Sequence, residues 1–170
     1  VVDDLVARGI ARESEGAVGV FSERTLPPKE DPFLVNRDGE WTDDPALVRK
    51  SDGGFNYMTT DLATVDYRIR TWAPDEILYV VDDRQAPHFR KLFLTFARWQ
   101  PEAAARVGLR HIGFGKILGD DGRPFRTRSG DTIRLAGLLD EAEERALAVV
   151  REKRPELSEA EQAAIARVVG

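Results

Sequence analysis

The spacing of apolar residues changes several times along the chain, and each change marks a boundary between elements. Leu62, Val65, Ile69 and Trp72 recur at helical intervals, and Pro74 closes that run. Residues 77–81, Ile-Leu-Tyr-Val-Val, form a short continuous apolar stretch ending at Asp82-Asp83, the pattern of a buried parallel strand. Pro87 stands where the next helix should begin, because a helix's first turn does not use proline's missing N–H. Phe89, Leu92, Phe93, Phe96 and Ala97 give that helix one apolar face, and residues 107–114 predict a further strand closed by Gly113 and Gly115. The order helix, strand, helix, strand indicates right-handed crossovers and a parallel sheet.

The two ends of the chain differ from this middle. Residues 2–11 predict a short helix that Gly9 weakens, and residues 16–23 and 33–36 predict short strands. Pro27-Pro28 and Arg37-Asp38-Gly39 supply loop and turn chemistry between and after them, so the N-terminal quarter is expected to be a small antiparallel β insertion. Beyond a glycine- and arginine-rich stretch at 119–130, Leu135, Leu138, Leu139, Ala142, Ala146, Val149 and Val150 trace a long amphipathic helix that Pro155 ends. Ser158 and Glu161 then form a capping box for a last helix carrying Ile165 and Val168. The chain therefore divides into a connective segment at 1–48, an α/β segment at 49–134 and a helical segment at 135–170.

Composition removes several possibilities. A chain of 170 residues, 42% hydrophobic and 32% charged, can bury a globular core, and no apolar run approaches the roughly 20 residues that span a bilayer. Cysteine is absent, which excludes disulfides, thiol nucleophiles and cysteine-based zinc sites. The two histidines, His88 and His111, match no metal-ligand spacing. A net charge of −5 argues against strong nonspecific binding of nucleic acid, which usually requires a basic domain. The chain opens at Val1 with no basic-then-apolar leader, and the expectation is an excised piece of a longer protein.

Three groups of residues could carry chemistry. Lys50-Ser51-Asp52-Gly53-Gly54 is followed by Tyr57 and Asp61, whose spacing of four puts phenol and carboxylate on one helix face. The plainer alternative is a turn before a helix, with Asp61 favoured near the positive helix N-terminus. Asp82-Asp83-Arg84-Gln85, with His88 beyond, follows a parallel strand at the end where open α/β sheets bind ligands, though an ordinary polar loop would look the same. Phe125-Arg126-Thr127-Arg128-Ser129-Gly130 offers guanidinium and hydroxyl groups suited to phosphate oxygens, although most basic loops are simply solvated. It is not a P-loop, since the chain holds no Gly-x4-Gly-Lys-Ser/Thr element.

Taken in order, these phrases resemble the arginyl-tRNA synthetases. KSDGG at 50–54, Tyr-x3-Asp-Leu at 57–62, ILYVVD at 77–82, Gln85-x2-His88-Phe89 and HIGFG at 111–115 carry the likeness. FRTRSGDTIRL at 125–135 and LLDEAEERA at 138–146 continue it, and the strand at 16–20 resembles the family's segment ahead of KSDGG. The resemblance implies a partial class I catalytic domain of Rossmann type, with parallel strands, a small N-terminal β insertion and C-terminal helices. It implies a ligase that joins arginine to tRNA through an arginyl-adenylate, using ATP as its Mg2+ complex, in the cytoplasm and as a monomer at full length.

By the same resemblance, Tyr57, Asp61 and Gln85 would line an arginine pocket. His88, His111, Gly113, Phe114, Phe125, Thr127 and Ser129 would lie against ATP, while Arg126 and Arg128 would act in catalysis. The loop at 125–130 departs from the family's general Lys-Met-Ser-Lys-Ser form, having no lysine and placing Arg126 where lysine is common. The first class I signature, of His-x-Gly-His type, is absent from the sequence. So is the anticodon-binding domain through which most tRNA contact is expected. An isolated piece is therefore expected to be inactive, and one sheet face or edge to be left uncovered. The alternatives are a nucleotide-binding paralogue or a noncatalytic interaction domain derived from the synthetase.

Overall fold

The structure, a computed structural model, describes residues 1–115 and 135–170. The signature residues Phe125, Arg126, Thr127, Arg128 and Ser129, and the expectation of a mobile loop at 119–130, lie outside the described residues. Two compact units result, Val1–Lys116 and Ile117–Gly170.

The first unit opens with helix α1 (Val2–Ala7), which ends two residues before Gly9, whose φ of +70° takes the backbone out of helical geometry. The helix expected over 2–11 is thus shorter, and Ala11 already begins strand β1 (Ala11–Ser14). Glu15 and Gly16 both have positive φ, and they join β1 to β2 (Ala17–Val20) in the tight turn that suits the right-handed twist of a hairpin. On its other edge β2 pairs antiparallel with β5 (Ala46–Arg49). Strands β3 (Leu34–Arg37) and β4 (Glu40–Asp43) make a second hairpin, turned at Asp38-Gly39 with the same pair of positive φ values.

Helix α2 (Tyr57–Trp72) begins at Tyr57, where the Asn56 side chain caps it by accepting from the N–H groups of Met58 and Thr59. Leu62 and Val65 are fully buried and Ile69 packs against the same core, but Trp72 is 65% exposed and is not part of the buried face. Strand β6 (Glu76–Asp82), a single 3₁₀ turn (Asp83–Gln85), helix α3 (Ala86–Trp99), the short helix α4 (Pro101–Ala104) and strand β7 (Gly108–Phe114) follow. Strands β6 and β7 are parallel, with Tyr79 opposite His111 and Val81 opposite Gly113.

The pair differs from the expectation in one respect: β6 is not buried on both faces. Ile77, Tyr79, Val81 and Leu109 turn inward, whereas Leu78, Val80, Ile112 and Phe114 are 50%, 64%, 39% and 53% exposed. Alternation along a strand is what one covered face and one open face produce.

One core holds the unit together. Leu5 of α1, Val18 and Val20 of β2, Phe33, Val48 of β5, Leu62 and Val65 of α2, and Leu92 and Phe96 of α3 form a single cluster of fully buried side chains. Polar contacts repeat the connection. The Trp99 indole donates to Asp4 Oδ2 at 2.6 Å, Arg8 donates to the Trp99 carbonyl at 2.9 Å, and Arg98 donates to the Phe21 carbonyl while its guanidinium lies 4.7 Å from the Phe33 ring centre. The N-terminal strands are therefore built into the α/β core.

In the second unit, α5 (Leu135–Lys153) and α6 (Glu159–Val169) form an antiparallel helical hairpin. Ser158 and Glu161 make the expected reciprocal capping box, and Gln162 donates to the Arg154 carbonyl across the turn. Among the described residues no helix is long and apolar enough to cross a membrane.

Two predictions follow from this core. Phe96→Ala removes a fully buried ring from the centre of α3 and should lower the unfolding free energy by about 3–5 kcal/mol in urea denaturation. The indole of Trp99, and then Arg8, hold the Asp4 carboxyl below its ordinary value of 3.8. A carboxylate depressed by folding stabilises above its unfolded pKa and loses that contribution as pH falls through the folded one. Denaturation midpoints should therefore drop as pH is lowered from about 4, and the drop should be smaller in Asp4→Asn.

Candidate ligand site at the helix N-termini

The expected site residues are brought together by two helix beginnings. The first turn of α2 is fixed by the Asn56 cap and by the Thr59 hydroxyl, which donates to the Val48 carbonyl of β5. Tyr57 and Asp61 lie one turn apart on this helix, as their spacing requires. The β6 strand then delivers the chain to the 3₁₀ turn, where Asp82 accepts from the Arg84 backbone N–H at 2.9 Å and pairs with its guanidinium at 2.7 and 2.9 Å. Gln85 ends that turn and His88 sits in the first turn of α3.

Between these turns and the start of β5 is a concavity of about 520 Å3. Tyr57, Gln85 and His88 line it, as do Asp44, Arg84 and Lys91. Asp61 is not in that lining and reaches it through His88, whose Nε2 lies 2.7 Å from Asp61 Oδ2. An ionised carboxylate only accepts, so the imidazole Nε2–H donates. Tyr57 meets the His88 ring edge-on, centre to centre 4.9 Å, and Phe89 meets it in the same manner at 5.2 Å. Lys91 closes the far wall with an ion pair to Asp44 at 2.6 Å.

The described residues expected at the nucleotide fall in two places. His111 lies flat against Phe89, with centres 4.7 Å apart and planes 20° apart, and donates through Nε2 to the Val81 carbonyl at 2.9 Å. Gly113 and Phe114 are exposed at the carboxyl end of β7. Gly113 has a steric reason to be glycine: a Cβ there would collide with the Asp83 carboxylate. His88, also expected at the nucleotide, is hydrogen-bonded to Asp61. Beside this layer the Tyr79 hydroxyl is buried with no hydrogen-bond partner among the described residues. Burial raises its pKa, and Arg68, 5.7 Å from the ring centre, opposes the rise.

The Lys50–Gly54 motif serves a neighbouring purpose. Lys50 N–H donates to the Gly54 carbonyl and Gly53 N–H to the Lys50 carbonyl, a closure that needs the Gly53 φ of +82°. Gly53 borders a second hollow of about 630 Å3, with Val1, Asp3, Arg49 and Phe55. Sequence reasoning missed Asp44 and Lys91, which are 47 positions apart and carry no local pattern.

The glycine at 113 generates a test. Gly113→Ala should cost about 1 kcal/mol, because the Asp83 carboxylate must rotate away. Asp83→Ala in the same chain should recover most of it. Thermal unfolding of the single and double variants would show this as non-additivity, and strict additivity would mean that the contact does not restrain the position.

Comparison with known proteins agrees with this arrangement of elements. The family model for the catalytic domain of the class I tRNA synthetases of the arginine (R) type matches residues 1–170. The chain is 46% identical over 172 residues to the arginine–tRNA ligase of Frankia casuarinae and 45% identical over 170 residues to that of Laribacter hongkongensis. Each alignment covers 100% of this chain but only 27% and 28% of those proteins, so the chain spans little more than a quarter of their length. In fold it is similar to the arginyl-tRNA synthetases of Plasmodium falciparum and Thermus thermophilus, each with a TM-score of 0.56. These share 22% and 19% sequence identity with it; 97% of this chain is covered, against 24% and 31% of theirs. With a family model matched along its whole length and relatives this similar, the chain belongs to the class I arginyl-tRNA synthetase catalytic-domain family.

Proposed function

We propose that this chain is the guanidinium-recognising part of an arginine–tRNA ligase, which activates arginine with ATP and transfers it to tRNA. The observation that carries this is the meeting of Tyr57, Gln85 and the His88–Asp61 pair where the N-termini of α2 and α3 converge. A guanidinium is planar, permanently charged and presents several N–H donors in fixed directions. A carboxylate and a side-chain amide oxygen are the acceptors that suit it, and Tyr57 offers a ring face or a hydroxyl at the rim. Asp61 keeps 39% of its side chain exposed, and among the described residues His88 is its hydrogen-bond partner. A substrate without the fork of donors would leave those acceptors unsatisfied on binding, which is how a polar site rejects a near-isostere.

ATP would bind beyond the carboxyl ends of β6 and β7, near Gly113 and Phe114, with its magnesium arriving as part of the nucleotide complex. Among the described residues no three His, Asp or Glu side chains gather to hold a metal. Arg126 and Arg128 would stabilise the charge that develops on the phosphates as the adenylate forms, with Phe125, Thr127 and Ser129 beside the nucleotide. tRNA would be engaged largely by parts of the full protein other than these residues. By likeness to the family, the full protein would be a cytoplasmic, monomeric enzyme.

Kinetics in a full-length synthetase carrying this segment test the two roles separately. Asp61→Asn should raise the KM for arginine by about 10- to 100-fold and leave the KM for ATP nearly unchanged, since a hydrogen bond to a charged group contributes about 1.5–3 kcal/mol. Unchanged arginine kinetics would remove Asp61 from the site. Arg126→Ala with Arg128→Ala should lower the rate constant of adenylate formation by about 100-fold or more with arginine affinity preserved. A normal chemical step in rapid-quench measurements would exclude that role.

A further inference from the structure

We propose that His88 is a positioning residue for arginine specificity, holding the Asp61 carboxylate in one orientation with Oδ1 foremost for the incoming guanidinium. The inference rests on the guanidinium reading of Asp61 and moves His88 from the nucleotide to the amino-acid side of the site.

Three features carry it. The Nε2 to Oδ2 distance is 2.7 Å, short for a nitrogen donor and typical of a bond to an ionised acceptor. The imidazole is only 11% exposed and is clamped edge-on by Tyr57 and Phe89, so the donor direction is set by packing. The ring belongs to the first turn of α3 and the carboxylate to α2, so the bond ties the two helix beginnings that carry the other proposed ligands, Tyr57 and Gln85. An aspartate on a helix surface with no such donor has several staggered orientations available and would lose that freedom only when substrate arrived.

The consequence concerns geometry. With one lone pair of Oδ2 taken by His88, Oδ1 is the freer acceptor of Asp61 for a guanidinium N–H. A second acceptor can then meet the rest of the fork, and Gln85, on the wall of the same concavity, supplies a side-chain carbonyl. A guanidinium can bridge two separated acceptors because its donors diverge in a plane, whereas a primary amine concentrates its donors on one atom. Splitting the acceptors between α2 and the turn before α3 therefore selects for the fork.

The test uses a full-length synthetase carrying this segment, with steady-state kinetics in arginine and in ATP. His88→Ala should raise the arginine KM by about tenfold, in the range found when a partner that orients a liganding group is lost, with kcat and the ATP KM within about twofold. His88→Gln places an amide nitrogen at the distance of Nε2 and should restore most of the loss; His88→Asn places it at the distance of Nδ1 and should not. In a double-mutant cycle, His88→Ala should add little to Asp61→Asn. An arginine KM unaffected in His88→Ala while Asp61→Asn raises it would overturn the positioning role and leave the guanidinium reading intact. If Asp61→Asn also has no effect, the guanidinium reading itself fails. A rise confined to the ATP KM would return His88 to the nucleotide. Should His88→Ala not fold, the comparison of Gln with Asn decides, and equal behaviour of the two would refute the proposal.

Discussion

Helix α3 must bury Phe89, Leu92, Phe96 and Trp99 along one side, and everything else in the first unit is arranged around that stripe. The residues available to cover it come from both directions in sequence: Leu5, Val20 and Phe33 from the N-terminal elements, Leu62 and Val65 from α2, and Tyr79 and Leu109 from the parallel strands. Few of these could remain buried without the helix. Its C-terminal end is fixed a second time, by Asp4 on the Trp99 indole and Arg8 on the Trp99 carbonyl. With the stripe and the far end held, the position of the N-terminal turn is determined, and with it Gln85 and His88.

This explains why a polar constellation can persist there without rigid loops. The first turns of α2 and α3 are packed helix, and their side chains inherit the precision of the core beneath them. Phe89 works on both sides at once: its ring is buried in the core, His111 stacks on it, and His88 touches its edge. The aromatic layer of Phe89, His111, Tyr79 and Phe93 thus connects the covered face of the parallel pair to the Asp61–His88 bond.

Much of this was legible in the chain because the strongest signals are local. The parallel pair, the helix between them and the proline at its start follow from period, length and breakers, and each lies within two residues of expectation. Tyr57 and Asp61 share a face because a spacing of four on a helix can do nothing else. What escaped were features set by distant residues or by unusual backbone. The β1–β2 hairpin was hidden because its turn uses Glu15 at φ +53°, a conformation that side chains seldom adopt, and because Ala11 and Arg12 read equally well as the end of a helix. Trp72 has the right period to be buried and is not, since the helix outruns the surface that would cover it. The Asp61–His88 bond spans 27 positions and the Lys91–Asp44 pair 47, and no periodicity encodes either.

The two faces of the β6–β7 pair show how local and distant constraints divide. Tyr79, Val81 and Leu109 are packed against the core of their own unit, so that side of the sheet is settled within residues 1–115. Leu78, Val80, Ile112 and Phe114 are as apolar as their neighbours yet are exposed. The same face also carries Glu76 and Asp82 at the two ends of β6 and Arg110 on β7, and Arg110 donates to Glu76 at 3.1 Å. The inward residues answer to the core built on α3, and the proposed site lies beside the end of that inward face.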